Sequence, residues 1–137
     1  MININVPKGV RNNNPGNIKY NPNNDWKGAI GRNGKFVVFS NPSYGVRALS
    51  KTLDTYYNVH GLKSISSVIR RYAPSEENDT LAYIKFVSGR TGIAPGAEMD
   101  RLTFKSRKSE IMAAMIRLEL GESPFTLAAI TEWSQLS

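Results

Sequence analysis

From Asn41 onward, apolar residues recur at three- and four-residue steps, in segments opened by capping side chains and closed by glycine or proline. That period belongs to α-helices with one buried face, so most of the chain is confined to a helical architecture. The first such segment starts at Asn41 or Ser43 and runs to about Tyr57, with Val46, Leu49, Leu53 and Tyr56 or Tyr57 in step; Gly61 stops it. A second runs from Ser64 to about Tyr72, carries Ile65, Val68, Ile69 and Tyr72 on one face, and ends at Pro74. A third begins near Asn78-Asp79 and reaches about Gly89, apolar at Leu81, Ile84 and Val87. The fourth spans roughly Thr103 to Leu120 and the fifth Thr126 to Leu136.

The N-terminal part reads differently. Pro7, Gly9, Pro15 and Gly16 punctuate residues 1–17, which are read as irregular, and RNNNPGNIKY (11–20) concentrates asparagine at a turn. Residues 18–40 then read as a small antiparallel sheet. Ile18 and Tyr20 open one strand, NPNN has turn chemistry, and Asn33-Gly34 is a strong hairpin signal before FVVF. The expected fold is a single α+β domain over residues 1–137, mostly helical, with one hairpin sheet near the N-terminus. At 137 residues and 40% hydrophobic content it can fill one core.

Composition removes several kinds of chemistry. Cysteine is absent and His60 is the only histidine, which excludes thiolate sites and makes histidine-rich zinc sites or a Ser-His-Asp triad improbable. No metal or other cofactor is expected. The opening MININVPKG lacks a signal peptide's basic and apolar regions, and no apolar run approaches the roughly 18 residues of a membrane span. Net charge is +7, which favours an anionic partner such as nucleic acid, a membrane surface or an acidic cell-wall polymer. The basic residues are spread along the chain, and no basic stripe interleaved with aromatics or nucleic-acid-binding motif is present, so nucleic acid is not expected.

Acid–base work therefore falls to the 11 carboxylates, and the useful one is whichever is forced out of water, because burial raises a carboxyl pKa. Glu119 fits best. It falls seven residues after Met112, four after Met115 and three after Ile116, on one helical stripe, with Glu110 and Arg117 on the opposite face. It also sits in the last turn, where the helix dipole disfavours a negative charge, and Gly121 follows as a stop. In the plainer reading this turn frays and Glu119 reaches solvent. Glu77, in APSEENDTLAY, lies four before Leu81 and seven before Ile84 and can lean into a groove; as part of an acidic helix start it otherwise serves only the dipole. Asp25, beside Trp26, is a third candidate and otherwise a turn former. Trp26, Tyr44 and Tyr83 belong to an aromatic supply suited to stacking on sugars. The amides of Asn13, Asn14 and Asn17 both donate and accept, as hydroxyl and N-acetyl groups require, or else simply fold a tight turn.

RNNNPGNI, then WKG (26–28), KFVVFSNPSYGVRAL and IRRYAPSEENDTLAYI together resemble phage-encoded lysozyme-like domains of the endolysin or virion-associated type, over about residues 9–125. NNPGNI and the PSEENDT variant of a PxENDT word are the most specific parts. The middle section is also similar to flagellar muramidases and lytic transglycosylases, in which an asparagine-rich turn leads into the sheet and a later helix carries an acid–Tyr element, matched here by Glu77 to Tyr83. In that superfamily the catalytic glutamate ends the helix just before the sheet, yet residues 1–17 contain no acid. MIRLELGESPF (115–125) resembles the Glu-x-Gly ending of lysozyme catalytic helices, so a circular permutation would let the late helix take that place.

The resemblance implies a glycosidase, muramidase or lytic transglycosylase, acting on the β-1,4 bond between N-acetylmuramic acid and N-acetylglucosamine in peptidoglycan. Glu119 is the expected proton donor. Asp25 or Glu77 is the candidate second carboxylate, and Asn13, Asn14, Asn17, Trp26, Tyr44 and Tyr83 are the expected sugar-binding residues. The expected protein is a monomer made in the host cytoplasm, which acts at the cell wall or travels in the virion. The alternative from another class is a catalytically silent cell-wall-binding or virion structural module that keeps the cleft without the acid.

Overall fold

The computed structural model describes residues 6–137; residues 1–5, the start of the segment read as irregular, lie outside it. The described residues form six helices and one two-stranded antiparallel hairpin, the α+β class read from the sequence. The order is α1 (Lys8–Arg11), β1 (Ala29–Asn33), β2 (Phe36–Phe39), α2 (Pro42–Asn58), α3 (Ile65–Tyr72), α4 (Thr80–Thr91), α5 (Arg101–Leu120) and α6 (Leu127–Ser134).

Five of the helices begin at a side chain that accepts a hydrogen bond from a free N–H of the first turn, which is why their starts were legible. Asn41 accepts from Ser43, Asp79 from Ala82, Asp100 from Thr103 and Thr126 from Ala129. Ser64 forms a reciprocal capping box with Ser67. α4 and α5 end on Gly92 and Gly121 in the left-handed conformation.

α5 is the central helix, packed against α1, α2, α4 and α6. Ile111, Met112, Ala114, Met115, Ile116 and Leu120 are all buried on it. At about 100° per residue these positions cover roughly 240° of the helix circumference, far more than one stripe, as an element enclosed by neighbours requires. Glu119 falls near the middle of that arc. Around α5, Phe39, Leu49, Leu53, Ile69 and Val87 complete one hydrophobic cluster to which nearly every element contributes. No helix among the described residues is long and apolar enough to cross a membrane.

Three expectations are corrected. The segment read as irregular contains the short helix α1. The strand expected at Ile18–Tyr20 is reduced to one bridge, Lys19 opposite Phe36, flanked by bonds from Val37 N to Ile18 O (3.0 Å) and Tyr20 N to Lys35 O (2.7 Å). Asn17, with φ of 51°, bends the chain immediately before it and the Asn21–Asn24 turn bends it immediately after, so no longer ladder can form. On α4, Leu81 is 61% exposed while Tyr83, Ile84 and Val87 are buried, so Leu81 does not belong to the buried face expected to carry Leu81, Ile84 and Val87.

The asparagine-rich turn takes the place of the missing strand. Asn14 is fully buried; its amide donates to Ile18 O (2.9 Å) and Val37 O (3.0 Å) and accepts from Ile18 N (2.9 Å). Asn13, in left-handed backbone at φ 53°, donates to Phe39 O (2.9 Å), and Asn12 O accepts from Phe39 N (2.9 Å). Gly45 of α2 lies under this turn. A Cβ there would stand 2.2 Å from Asn13 O, so the turn docks only on glycine.

Replacing Asn14 by Leu is expected to lower stability by about 3 kcal/mol, from three buried hydrogen bonds at about 1 kcal/mol each. Chemical denaturation of the variant, with an unchanged denaturant slope, checks this.

Candidate active site

The last turn of α5 carries Glu119 to the point where the asparagine turn and α4 meet. Gly9 of α1 makes that approach possible, since a Cβ on it would stand 2.3 Å from Leu120 Cδ2 and 2.9 Å from Asn14 O. Asn17 Nδ2 donates to Glu119 Oε1 at 3.0 Å, and the Tyr83 hydroxyl donates to Oε2 at 2.9 Å. Residues 17, 83 and 119 are remote in sequence, so the contact is made by the tertiary fold alone. Tyr72, at the end of α3, adds a second phenol, whose hydroxyl donates to Gly16 O at 2.5 Å.

Burial raises the Glu119 pKa above that of an ordinary glutamate. The hydrogen bonds from Asn17 and Tyr83 and the charge of Lys19 oppose the shift without cancelling it. Burial, reinforced by the carboxylate of Glu119, pushes the phenols of Tyr72 and Tyr83 well above their ordinary value. They stay neutral and act as donors at any physiological pH.

Glu119 lies between two recesses of ≈ 230 Å³ each. One, beside α4, is lined by Asn78, Asp79, Ala82, Tyr83 and Leu118. The other, beside the hairpin, is lined by Asn17, Lys19, Lys35, Tyr72 and Glu77 among others. Asn17, Lys19 and Tyr72 also border a larger groove of ≈ 550 Å³, whose one wall is residues 17–26 and whose other is α2 and the end of α3. The large groove shares Asn17, Lys19 and Tyr72 with the recess beside the hairpin, and the two small recesses share Asn78 and Glu119, so the three adjoin one another. Among the described residues, no group of three or more His, Cys, Asp or Glu is placed to hold a metal ion.

The other residues singled out from the sequence are dispersed. Glu77 lines the recess of Glu119, but it is solvent-exposed and ion-paired to Lys19; hydrogen bonding to Lys19 and the charges of Lys19 and Lys35 lower its pKa. Asp25 is exposed and borders a separate recess with Tyr20, Trp26 and Gly31, away from Glu119. Trp26 lines both that recess and the large groove. Asn13 and Asn14 have their amides committed to backbone carbonyls, so their work is structural. Tyr44 packs on Gly28, where a Cβ would stand 2.2 Å from its ring, and borders none of these cavities. Of the three asparagines, Asn17 alone touches the acid.

Sequence reasoning did not single out His60, Arg71, Lys19 or Lys35 as cleft residues, and it counted Tyr56 and Tyr72 in the aromatic supply, most of which it placed at core spacing. Tyr56 and Tyr72 have core spacing and stack edge-on at 6.5 Å in the groove wall. Arg71 lies over the Tyr56 ring at 5.4 Å. The available signal was two tyrosines with an arginine at the ends of consecutive helices, which periodicity assigns to the core.

Because Glu119 has a raised pKa in the fold, the native state binds protons more tightly there than the unfolded chain does. Its contribution is present at pH below the unfolded value and is lost as pH rises through the folded one. Glu119→Gln is therefore expected to become more stable relative to the wild type as pH rises from about 4 to about 7. Thermal unfolding of both proteins at each pH checks the sign; a constant difference contradicts it.

No family model matches the chain. The chain is 38% identical over 133 residues to "Protein P5" of Pseudoalteromonas phage PM2, a match that covers 92% of this chain and 81% of that protein. The chain belongs to the family of that phage protein.

Proposed function

We propose that this member of the Protein P5 family cleaves the glycan of bacterial peptidoglycan between N-acetylmuramic acid and N-acetylglucosamine, with Glu119 as the proton donor. The observation that carries the reading is a single desolvated carboxyl, raised in pKa and held by Asn17 and Tyr83, lying among adjoining recesses. A series of adjoining recesses suits a polymer that is cut internally. The phage origin of the relative is in keeping with a cell-wall-opening role. So is the position of Glu119: it ends a helix and abuts the asparagine turn that leads into the hairpin, as a permuted lysozyme-like domain requires. The protein acts as a monomer, at the host cell wall or from the virion.

In the reaction, neutral Glu119 gives its proton to the glycosidic oxygen as the bond to C1 of the muramoyl unit breaks. Asn17 and Tyr83 occupy one lone pair on each carboxyl oxygen and fix the acid's orientation. The carboxylate left behind then takes the proton of the muramoyl 6-hydroxyl as that oxygen closes on C1, and an anhydro ring forms. This lytic transglycosylase route needs one carboxyl, and one is supplied. Glu77 favours a second reading: it lines the same recess and is ionised, so as a general base it would activate water for hydrolysis instead.

Wild type is expected to clear a cell-wall zymogram, and Glu119→Gln to lose at least about a hundredfold in rate, the lower end of what general acid catalysis supplies. Mass spectrometry of the products separates the routes. Anhydro ends are expected; ends heavier by one water, lost in Glu77→Gln, would establish hydrolysis. If neither wild type nor Glu119→Gln clears the gel while both sediment with cell wall, the protein is a silent binding module.

A further inference from the structure

The large groove beside Glu119 has a charge pattern that sugar binding does not call for. Lys19 and Arg71 border it from opposite walls, His60 just beyond the end of α2 also lines it, and no aspartate or glutamate does. In a chain with 11 carboxylates, a groove of ≈ 550 Å³ whose charged lining residues are all basic presents a positive potential to whatever enters. Arg71 is also held in place: its guanidinium lies over the Tyr56 ring at 5.4 Å, and Tyr56 is braced edge-on by Tyr72. A fixed, planar guanidinium is suited to a carboxylate, which it can grip with two parallel hydrogen bonds. Lys19 and its partner Glu77 are both about half exposed, so a ligand carboxylate can compete for the lysine at little cost.

The glycan backbone of peptidoglycan carries no free carboxylate where its lactyl groups bear peptide stems. The stems themselves carry several. Resting on the glycosidase reading above, we infer that the groove is a carboxylate-reading subsite, in which Arg71 and Lys19 hold the acidic stem peptide of the muramoyl unit and so place the adjoining glycosidic bond at Glu119. The enzyme then selects peptidoglycan with anionic stems over neutral glycans, through positive charge fixed in the groove rather than through the net charge of the molecule.

The test compares intact sacculi with sacculi whose carboxylates have been capped as neutral amides by carbodiimide and ethanolamine. Two readouts are taken: cleavage rate at sub-saturating substrate, and sedimentation of the Glu119→Gln protein with each material. Capping is expected to lower both about tenfold. Arg71→Gln is expected to show the same loss on intact sacculi and little further loss on capped ones, with Arg71→Lys recovering part of it. Lys105→Gln, which removes an exposed charge on α5 outside the groove, is the control. Equal handling of intact and capped sacculi overturns the subsite, and so does a loss in Lys105→Gln that matches Arg71→Gln. Absence of cleavage on either material defeats the glycosidase reading instead. Sedimentation then still decides the subsite: a preference for intact sacculi that Arg71→Gln removes upholds it, and equal partition overturns it.

Discussion

The carboxyl of Glu119 is the place where three remote parts of the chain are tied together: the end of α5, the asparagine turn before the hairpin, and the inner face of α4. Its two oxygens accept from Asn17 and Tyr83, at 3.0 and 2.9 Å, and neither donor is charged. A charged partner would hold the acid ionised. Neutral donors in a partly desolvated site fix its direction and leave its affinity for a proton high. The pocket's cations stand further out, and Lys19, whose charge opposes the shift, is engaged with Glu77.

Holding the acid there imposes conditions on the rest of the fold. α5 must be enclosed on most sides, or its last turn would fray into water; the buried residues from Ile111 to Leu120 secure it. The asparagine turn must be rigid, or Asn17 would not stay within reach. Asn14 supplies that rigidity from inside the core, and Gly9 and Gly45 allow backbone and helix to approach where any side chain would collide. The amide-rich stretch thus divides its labour: Asn12 to Asn14 build the turn, and Asn17, bent into left-handed backbone at φ 51°, presents its amide to the site.

Much of this was legible because it depends on local chemistry. Helix starts followed from Asn41, Ser64, Asp79 and Thr126, and the hairpin from Asn33-Gly34, while α5 starts at its Asp100 cap, ahead of the expected Thr103. The central place of Glu119 was legible too, from an apolar stripe that should not contain an acid. Roles decided by tertiary approach were not legible. Asn14 and Asn17 have the same side chain three positions apart, and only the positions of β2 and α5 make one a core strut and the other a partner of the acid. Periodicity likewise aligned Leu81 with Ile84, but the surface of α4 that α5 covers is the one bearing Tyr83. Tyr72 was read as core-facing and Arg71 was not singled out, because a cleft wall and a core face share the same helical spacing until the opposite wall is known.

The account stands on the protonation of one group, which can be observed directly. Carbon-detected NMR titration of the Glu119 side-chain carboxyl, assigned by comparison with Glu119→Gln, should show it taking up its proton at a pH clearly above that of the exposed glutamates, with the Asn17 side-chain amide responding at the same midpoint. A midpoint at or below that of the exposed glutamates, with no response from Asn17, would show a solvated carboxylate and contradict the assignment of Glu119 as proton donor.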